Sequence, residues 1–373
     1  MVTTMDIEPF LKLMADKEAS DLFFNVGAPP TIKIKGKTTP LASKNLQSGQ
    51  VQTLAYSLIT DQQRAEFEKT LELNFAVNMD NVGRYRVNLY RQRGEVSMVI
   101  RYIKSRIPSI EDLHLPQILK KLVLEPRGLI LVVGATGSGK STTLASMIDY
   151  RNQQKDGHIL TIEDPVEFVY EHKKAVVDQR EVGLDTLSYA NALKNAMREA
   201  LDVILIGEIR DRETMQHAIA YAETGHLCLS TLHANNANQA IDRIINFFPD
   251  SAQHQLLIDL SLNLKAVISQ RLLQGMDGNV VPAMEVMIQS AYISELIEKR
   301  DIDKIKEAIE KNREEGMQTF DQSLYDLYKA GKISEEVALQ NADSRNNLSL
   351  KIRLEHGAEG KNEDHGLRIS DDD

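Results

Sequence analysis

Two periodicities divide the chain. In the first hundred residues apolar and charged side chains alternate: Thr31-Ile32-Lys33-Ile34-Lys35 and Arg84-Tyr85-Arg86-Val87-Asn88-Leu89-Tyr90 place them on opposite faces. That is the pattern of half-exposed antiparallel strands. Gly27-Ala28-Pro29-Pro30 and Asn81-Val82-Gly83 punctuate these strands, and the stretch between predicts an amphipathic helix carrying Leu54, Leu58 and Phe67. Further on, alternation gives way to short, continuous apolar runs at 129–133, 159–162, 203–206 and 227–229, separated by helical stretches. Strands buried on both faces of a parallel sheet require this composition. Beyond residue 290 the pattern is helical: Phe320, Leu324, Leu327 and Tyr328 fall at i, i+4, i+7 and i+8, and Ser334 followed by Glu335 and Glu336 marks a helix start.

These patterns predict an α/β protein with an α+β domain over residues 1–102 and a linker at 103–112, where Ile107-Pro108-Ser109-Ile110 interrupts the pattern. A second domain, with a helical C-terminal region, is expected over 113–350. The segment 351–373 is expected to be a disordered acidic tail, since the final 19 residues hold seven acids, two bases and few large apolar side chains. A length of 373 residues fits about two domains.

Composition narrows the function classes. The 44 basic against 54 acidic residues give a net charge of −10, which argues against nucleic acid as a partner, because phosphate backbones are bound through clustered Lys and Arg. A single cysteine, Cys228, excludes an intramolecular disulfide and a multi-thiolate zinc site. No window approaches the 18 or so apolar residues of a membrane span, and the N-terminus lacks a basic-then-apolar leader, so a cytoplasmic protein is expected.

The chemistry begins at Gly134-Ala135-Thr136-Gly137-Ser138-Gly139-Lys140-Ser141, a G-x-x-x-x-G-K-[ST] match directly after the apolar run 129–133. In this pattern backbone N–H groups and a helix N-terminus surround the β- and γ-phosphates, the lysine neutralises them and the Ser141 hydroxyl ligates Mg²⁺. Thr142, the next residue, is counted with this nucleotide-binding set. Two later apolar runs end in carboxylates, Glu163-Asp164-Pro165 and Gly207-Glu208, at the strand edge where open parallel sheets bind ligands. Hydrolysis needs one acid to hold Mg²⁺, directly or through its waters, and another to deprotonate the attacking water. Glu208 is the preferred base and Glu163 the metal- or water-positioning group; the reverse assignment stays open, as does simple helix capping or surface ion pairing.

His226 and His233 flank the run 227–229, too far apart along an extended chain to meet one phosphate, about 20 Å. His233, at the C-terminal end, is the candidate γ-phosphate sensor, with a structural histidine as its alternative. For His226 a structural or subunit-interface role is the preferred reading. Alternate arginines such as Arg84 and Arg86 usually mean a solvated strand face. Their functional alternative, shared with Arg101 and Arg243, is to reach a neighbouring subunit's triphosphate. Cys228, between leucines, reads as a buried thiol. No N-K-x-D guanine-reading motif follows the phosphate loop, which argues against a GTPase.

Taken in order, residues 134–141, Thr161-Ile162-Glu163-Asp164-Pro165, Asp202-Val203-Ile204-Leu205-Ile206-Gly207-Glu208-Ile209-Arg210-Asp211, and Thr224-Gly225-His226 to Thr231-Leu232-His233-Ala234 resemble the Walker A, Asp, Walker B and His boxes of the secretion and type IV pilus ATPases. The resemblance covers about residues 5–345. It implies a homo-hexameric ring of two-domain subunits, each a PAS-like N-terminal domain joined to a RecA-like P-loop ATPase domain, with ATP at the junction. It also implies that Arg84, Arg86 and Arg101 complete the nucleotide site. One cysteine and this length resemble the retraction branch, the PilT/PilU family, rather than the longer extension ATPases with their four-cysteine zinc motif. Within that branch Tyr292-Ile293-Ser294-Glu295-Leu296-Ile297-Glu298-Lys299 replaces the PilT-type Ala-Ile-Arg-Asn-Leu-Ile-Arg-Glu signature, so the chain looks more like the PilU type. The resemblance implies a cytoplasmic ATP-hydrolysing motor, peripheral at the inner-membrane pilus base. It would assist pilus retraction and twitching motility together with PilT and the pilus platform protein. The alternative is an ATP-binding adaptor ring coupled to PilT with little hydrolysis of its own.

Overall fold

The computed structural model describes residues 6–34, 36–79, 82–103 and 106–359, with side chains to residue 354. Its contacts divide the chain into two units: Met1–Ile107 with Ile162–His172 and Gln179–Ala192, and Pro108–Thr161 with Lys173–Asp178 and Leu193–Asp373. Of the residues singled out above, Lys35 and Asn81 lie outside the described set, as does the part of the expected tail at 360–373.

The first unit is organised by a six-stranded sheet of β1 (Asp21–Phe24), β2 (Thr31–Ile34), β3 (Lys37–Pro40), β4 (Glu72–Met79), β5 (Gly83–Gln92) and β6 (Glu95–Ile103), in the order β3-β2-β1-β6-β5-β4. Every pairing in it is antiparallel. Alternation along β5 does what period-two patterning demands: Tyr85, Val87 and Leu89 are fully buried, while Arg84, Arg86 and Asn88 stay partly exposed. Their buried face joins Leu22, Phe24, Phe67, Met98 and Ile100 in one core. Where one amphipathic helix was expected there are two, Gln50–Tyr56 and Asp61–Thr70, with Leu58 between them. The break has a local cause. Thr60 accepts from the Gln63 N–H while the Gln63 side chain accepts from the Thr60 N–H, a reciprocal cap that starts a new helix.

In the second sheet β7 (Gly128–Val133), β8 (Gly157–Glu163), β9 (Ala175–Glu181), β10 (Val203–Ile206), β11 (Leu227–Leu232), β12 (Leu264–Gln274) and β13 (Val280–Ile288) follow the order β13-β12-β7-β11-β10-β8-β9. β12, β7, β11 and β10 pair in parallel, and β13 closes the edge antiparallel to β12. Every residue of β7, β10 and β11 is buried, which explains their unbroken apolar runs. Neither β9 nor the β12–β13 hairpin was anticipated from the pattern. No helix among the described residues is long and apolar enough to cross a membrane.

The C-terminal helices Phe320–Lys329, Glu335–Asn341 and Arg345–Glu359 follow, the first two capped by the Thr319 and Ser334 hydroxyls. Phe320, Leu324, Leu348 and Ile352 pack with Leu273 and Ala283 of the β12–β13 hairpin. The last helix passes the expected boundary at residue 350, so 351–359 are helical rather than part of a disordered tail. Ile352, 1% exposed, helps to hold that helix down.

A polar clamp reinforces this packing. Arg271 of β12 lies 3.8 Å above the Phe320 ring and donates to Asp343 at 2.8 Å, and Lys306 donates to the other Asp343 oxygen at 3.0 Å. Burial pushes the Asp343 carboxyl up, but these cationic donors outweigh it and hold the group below its ordinary value. A carboxyl depressed on folding contributes stability above its unfolded pKa, about 3.9, and loses it as pH falls through the folded value. Asp343→Asn is therefore expected to destabilise the chain by about 1–3 kcal/mol at neutral pH. In denaturant titrations from pH 7 to 3, the gap between variant and wild type should close below about pH 4.

Candidate nucleotide-binding and catalytic site

Where β7 ends at Val133, the backbone turns at Gly134 with φ +155° and reaches the helix Lys140–Gln154 through Gly139, whose φ of +88° places it in the left-handed region. A Cβ at Gly134 would lie 2.4 Å from the Ser138 hydroxyl and 2.6 Å from the Gln270 carbonyl oxygen, so only glycine permits this close turn. Gly139 brings no side-chain acceptor to the first helical turn, whose N–H groups and partial positive charge suit an anion. Ala135, Thr136 and Gly137 are exposed at the crest, Ser141 is exposed and Thr142 half-buried at the helix start.

Lys140 is buried, and its ammonium donates to the carbonyl oxygens of Gly134 and Ala135, each at 2.9 Å. Burial pushes its pKa below the ordinary lysine value, and the negative charge of Glu208 opposes that shift. The buried Ser138 hydroxyl has no hydrogen-bond partner among the described residues. A cleft of about 230 Å³ opens here, lined by residues 134–138 with Asn235, Gln270, Arg271 and Leu272. A neighbouring one of about 380 Å³ shares Gly134 and Ala135 and adds His233, Asp242 and Arg243.

β10 ends at Ile206, and the backbone beyond it stays tied to β11: Thr231 Oγ1 donates to the Gly207 carbonyl at 2.7 Å and the Ile209 N–H to the Thr231 carbonyl at 2.9 Å. This places Glu208 beside the end of β11. One carboxylate oxygen lies 3.1 Å from His233 Nε2, and the other accepts from Arg210 Nε at 2.8 Å. The phosphate loop, Glu208 and His233 thus belong to one unit. Glu163 ends β8 in the segment Ile162–His172, which groups with the first unit; its carbonyl oxygen accepts from the Val182 N–H at 2.9 Å.

The arginines have separate settings. Arg86 makes two bonds to the Glu181 carboxylate, both 3.1 Å, and a third to the Val166 carbonyl, all within the first unit. Arg101 donates to Asp21 at 2.8 Å and is half exposed. Arg84 has a buried Nε with no hydrogen-bond partner among the described residues. Arg243 lines the larger cleft in the second unit, its guanidinium 6.0 Å from the Phe247 ring. His226 packs edge-on to Tyr221, with Nδ1 3.1 Å from Thr224 Oγ1, at the other end of β11 from His233. Cys228 is fully buried, and burial alone raises its thiol pKa far above the ordinary value, so it is not a reactive thiolate.

Sequence reasoning missed Gln270, Arg271 and Glu285. Gln270 accepts from Thr143 Oγ1 at 2.7 Å and so ties β12 to the first turn after the phosphate loop. The signal was a polar residue inside an apolar strand: Ser269-Gln270-Arg271 in β12, and Glu285 between Met284 and Val286 in β13.

The donor set fits a magnesium nucleotide. An unpartnered buried hydroxyl, a turn too tight for any Cβ and a buried lysine suit an anion, and the exposed Ser141 hydroxyl is a hard oxygen donor of the kind Mg²⁺ takes. Among the described residues no group of three or more His, Cys, Asp or Glu forms a free-standing metal site. Mg²⁺ held by one or two protein groups plus phosphate oxygens needs no such cluster.

Comparison with known proteins agrees with this geometry. The family model of the type II/IV secretion system proteins matches residues 36–347. The type IV pilus ATPase PilU of Pseudomonas aeruginosa is 49% identical, over 99% of this chain and 98% of its own. The pilus retraction ATPase PilT of the same organism is 43% identical, over 91% and 98% respectively. Among solved structures, the pilus retraction motor PilT with bound ADP matches with a TM-score of 0.86 at 42% identity, covering 93% of this chain and 99% of that one. The ATPase DotB of Legionella pneumophila matches with a TM-score of 0.77 at 26% identity, covering 90% and 95%.

Proposed function

The chain belongs to the PilT/PilU family of type II/IV secretion ATPases and is itself an ATPase, and from that premise we propose that it works as a hexameric motor assisting type IV pilus retraction. The observation that carries the catalytic part is the phosphate loop with buried Lys140 in one unit with Glu208, itself held between His233 and Arg210.

In the proposed reaction residues 134–142 bind ATP, with loop N–H groups and Lys140 on its β- and γ-phosphates. Ser141 and Glu163 would be the groups that hold Mg²⁺, Glu163 directly or through water, and the ion would supply charge neutralisation for the phosphate oxygens. Glu208 takes the proton from a water molecule whose oxygen attacks the γ-phosphorus. The bond from that phosphorus to the β–γ bridging oxygen breaks, leaving ADP and phosphate. His233, whose Nε2 lies 3.1 Å from a Glu208 carboxylate oxygen, would report the presence of the γ-phosphate through that contact.

Arg84, Arg86, Arg101 and Arg243 are proposed to reach a neighbouring subunit's nucleotide in the ring, where guanidinium stabilises transferring phosphate. The chain would act in the cytoplasm, peripheral at the inner-membrane pilus base, with PilT and the platform protein as partners. The 49% identity to PilU over nearly the whole chain supports the PilU-type role. Light scattering and ATP turnover of the wild type and of an Arg84→Ala/Arg86→Ala/Arg101→Ala chain, each with and without added PilT, test this reading. A hexamer-sized wild type stimulated by PilT, and a variant defective in assembly or turnover, are expected. A variant that assembles and turns over normally would reduce these arginines to a solvated strand face, and a monomeric wild type would overturn the ring.

A further inference from the structure

Glu285 is a carboxylate inside the protein, 2% exposed, between Met284 and Val286 on β13. Nothing in the reaction above uses it. The same oxygen, Oε1, accepts from the Ala237 N–H at 2.8 Å and from the Ser269 hydroxyl at 3.1 Å. Ala237 is the first residue of the helix Ala237–Asn246, and the three residues before it, 234–236, connect that helix directly to His233. Ser269 faces Glu285 across the β12–β13 ladder and Val133 across the β12–β7 ladder, one residue before the phosphate loop begins. A single buried oxygen therefore ties the end of the His233 loop, where the helix Ala237–Asn246 begins, to the strand that abuts the phosphate loop.

Burial at this position is costly for a carboxylate, and it pushes the Glu285 pKa up against the two hydrogen bonds that lower it. Leucine or valine would fill the same strand position without that cost, so the group's contribution lies in what it holds. The N–H of the first helical residue has no intrahelical partner, and the Asn236 side chain is already engaged with the Gln239 N–H at 2.9 Å. Glu285 is the acceptor that fixes Ala237.

We propose that Glu285 is a positioning residue for ATP hydrolysis, which anchors the start of the helix Ala237–Asn246 to β12 and β13 and so holds His233 against Glu208. This rests on the roles given above to Glu208 and His233. Loss of the anchor leaves the phosphate loop intact and lets His233 drift, so it lowers kcat and spares ATP binding. Misplacement of a supporting group by about 1 Å costs up to about 100-fold in rate.

The test is ATP hydrolysis by the full chain as wild type, Glu285→Ala, Glu285→Gln, His233→Ala and the Glu285→Ala/His233→Ala double variant. Glu285→Ala should lower kcat about 10- to 100-fold with KM for ATP within about twofold of wild type. Glu285→Gln keeps an acceptor oxygen and should retain most of the activity. Because Glu285 acts through His233, adding Glu285→Ala to His233→Ala should cost less than about twofold. An undiminished effect in the His233→Ala background, or a rise in KM without a fall in kcat, would overturn the inference and leave the site reading standing. Wild-type turnover by His233→Ala would overturn the site reading itself. If Glu285→Ala does not fold, Glu285→Asp, which withdraws the carboxylate by one methylene, takes its place. It should show the same fall in kcat, and wild-type kcat in that variant would contradict the anchor.

Discussion

A Glu208→Gln chain should bind ATP and turn it over about 10²–10⁴ times more slowly than the wild type, the range that one positioned general base supplies. Glutamine has the shape of glutamate and keeps an oxygen to accept from Arg210 Nε, now 2.8 Å from the carboxylate. The variant therefore removes proton acceptance with little disturbance of the strand end. Nucleotide affinity should hold, because the phosphate loop and Lys140 are untouched. Phosphate release beside ATP binding by calorimetry separates the two quantities. Full turnover by Glu208→Gln would transfer the base role to Glu163, whose own glutamine variant would then be the inactive one.

Lys140→Gln should cost about 10²–10³-fold in ATP affinity. Truncating one partner of a buried, hydrogen-bonded charge pair costs about 2–5 kcal/mol, and each 1.4 kcal/mol is tenfold. The ammonium is already desolvated in the protein, bonded to two loop carbonyls and kept below its ordinary pKa chiefly by burial. A phosphate anion is the partner that compensates that burial, so the energy of the lysine is spent on ligand rather than on fold. The variant should accordingly melt near the wild-type temperature without nucleotide and lose the upward shift that ATP gives the wild type. A full ATP-induced shift in Lys140→Gln would contradict the phosphate-binding role.

The parts of the site visible in the sequence are those governed by short-range rules. The 129–133 run became the fully buried β7, and the glycine pattern after it became a turn where a Cβ has no room. Glu208 and His233 could be placed at strand ends because β10 and β11 are unbroken apolar runs, but their 3.1 Å contact depends on parallel pairing between segments 24 residues apart. Long-range pairing hid the rest. Gln270 and Glu285 lie on a hairpin whose strands carry polar residues inward, and only the contacts across the sheet show what those side chains hold. The single helix expected around Leu58 failed for a local reason, the Thr60–Gln63 cap, which a search for apolar spacing does not register. Similarly, the acidic composition near the C-terminus concealed Ile352, which packs the last helix onto the hairpin.

Whether this chain hydrolyses ATP by itself is decided by phosphate release from the purified wild type with no PilT present. Sustained, magnesium-dependent release of one phosphate per ATP consumed is expected. ATP that binds to the chain and stays intact over many minutes would contradict it and make this protein a nucleotide-binding adaptor.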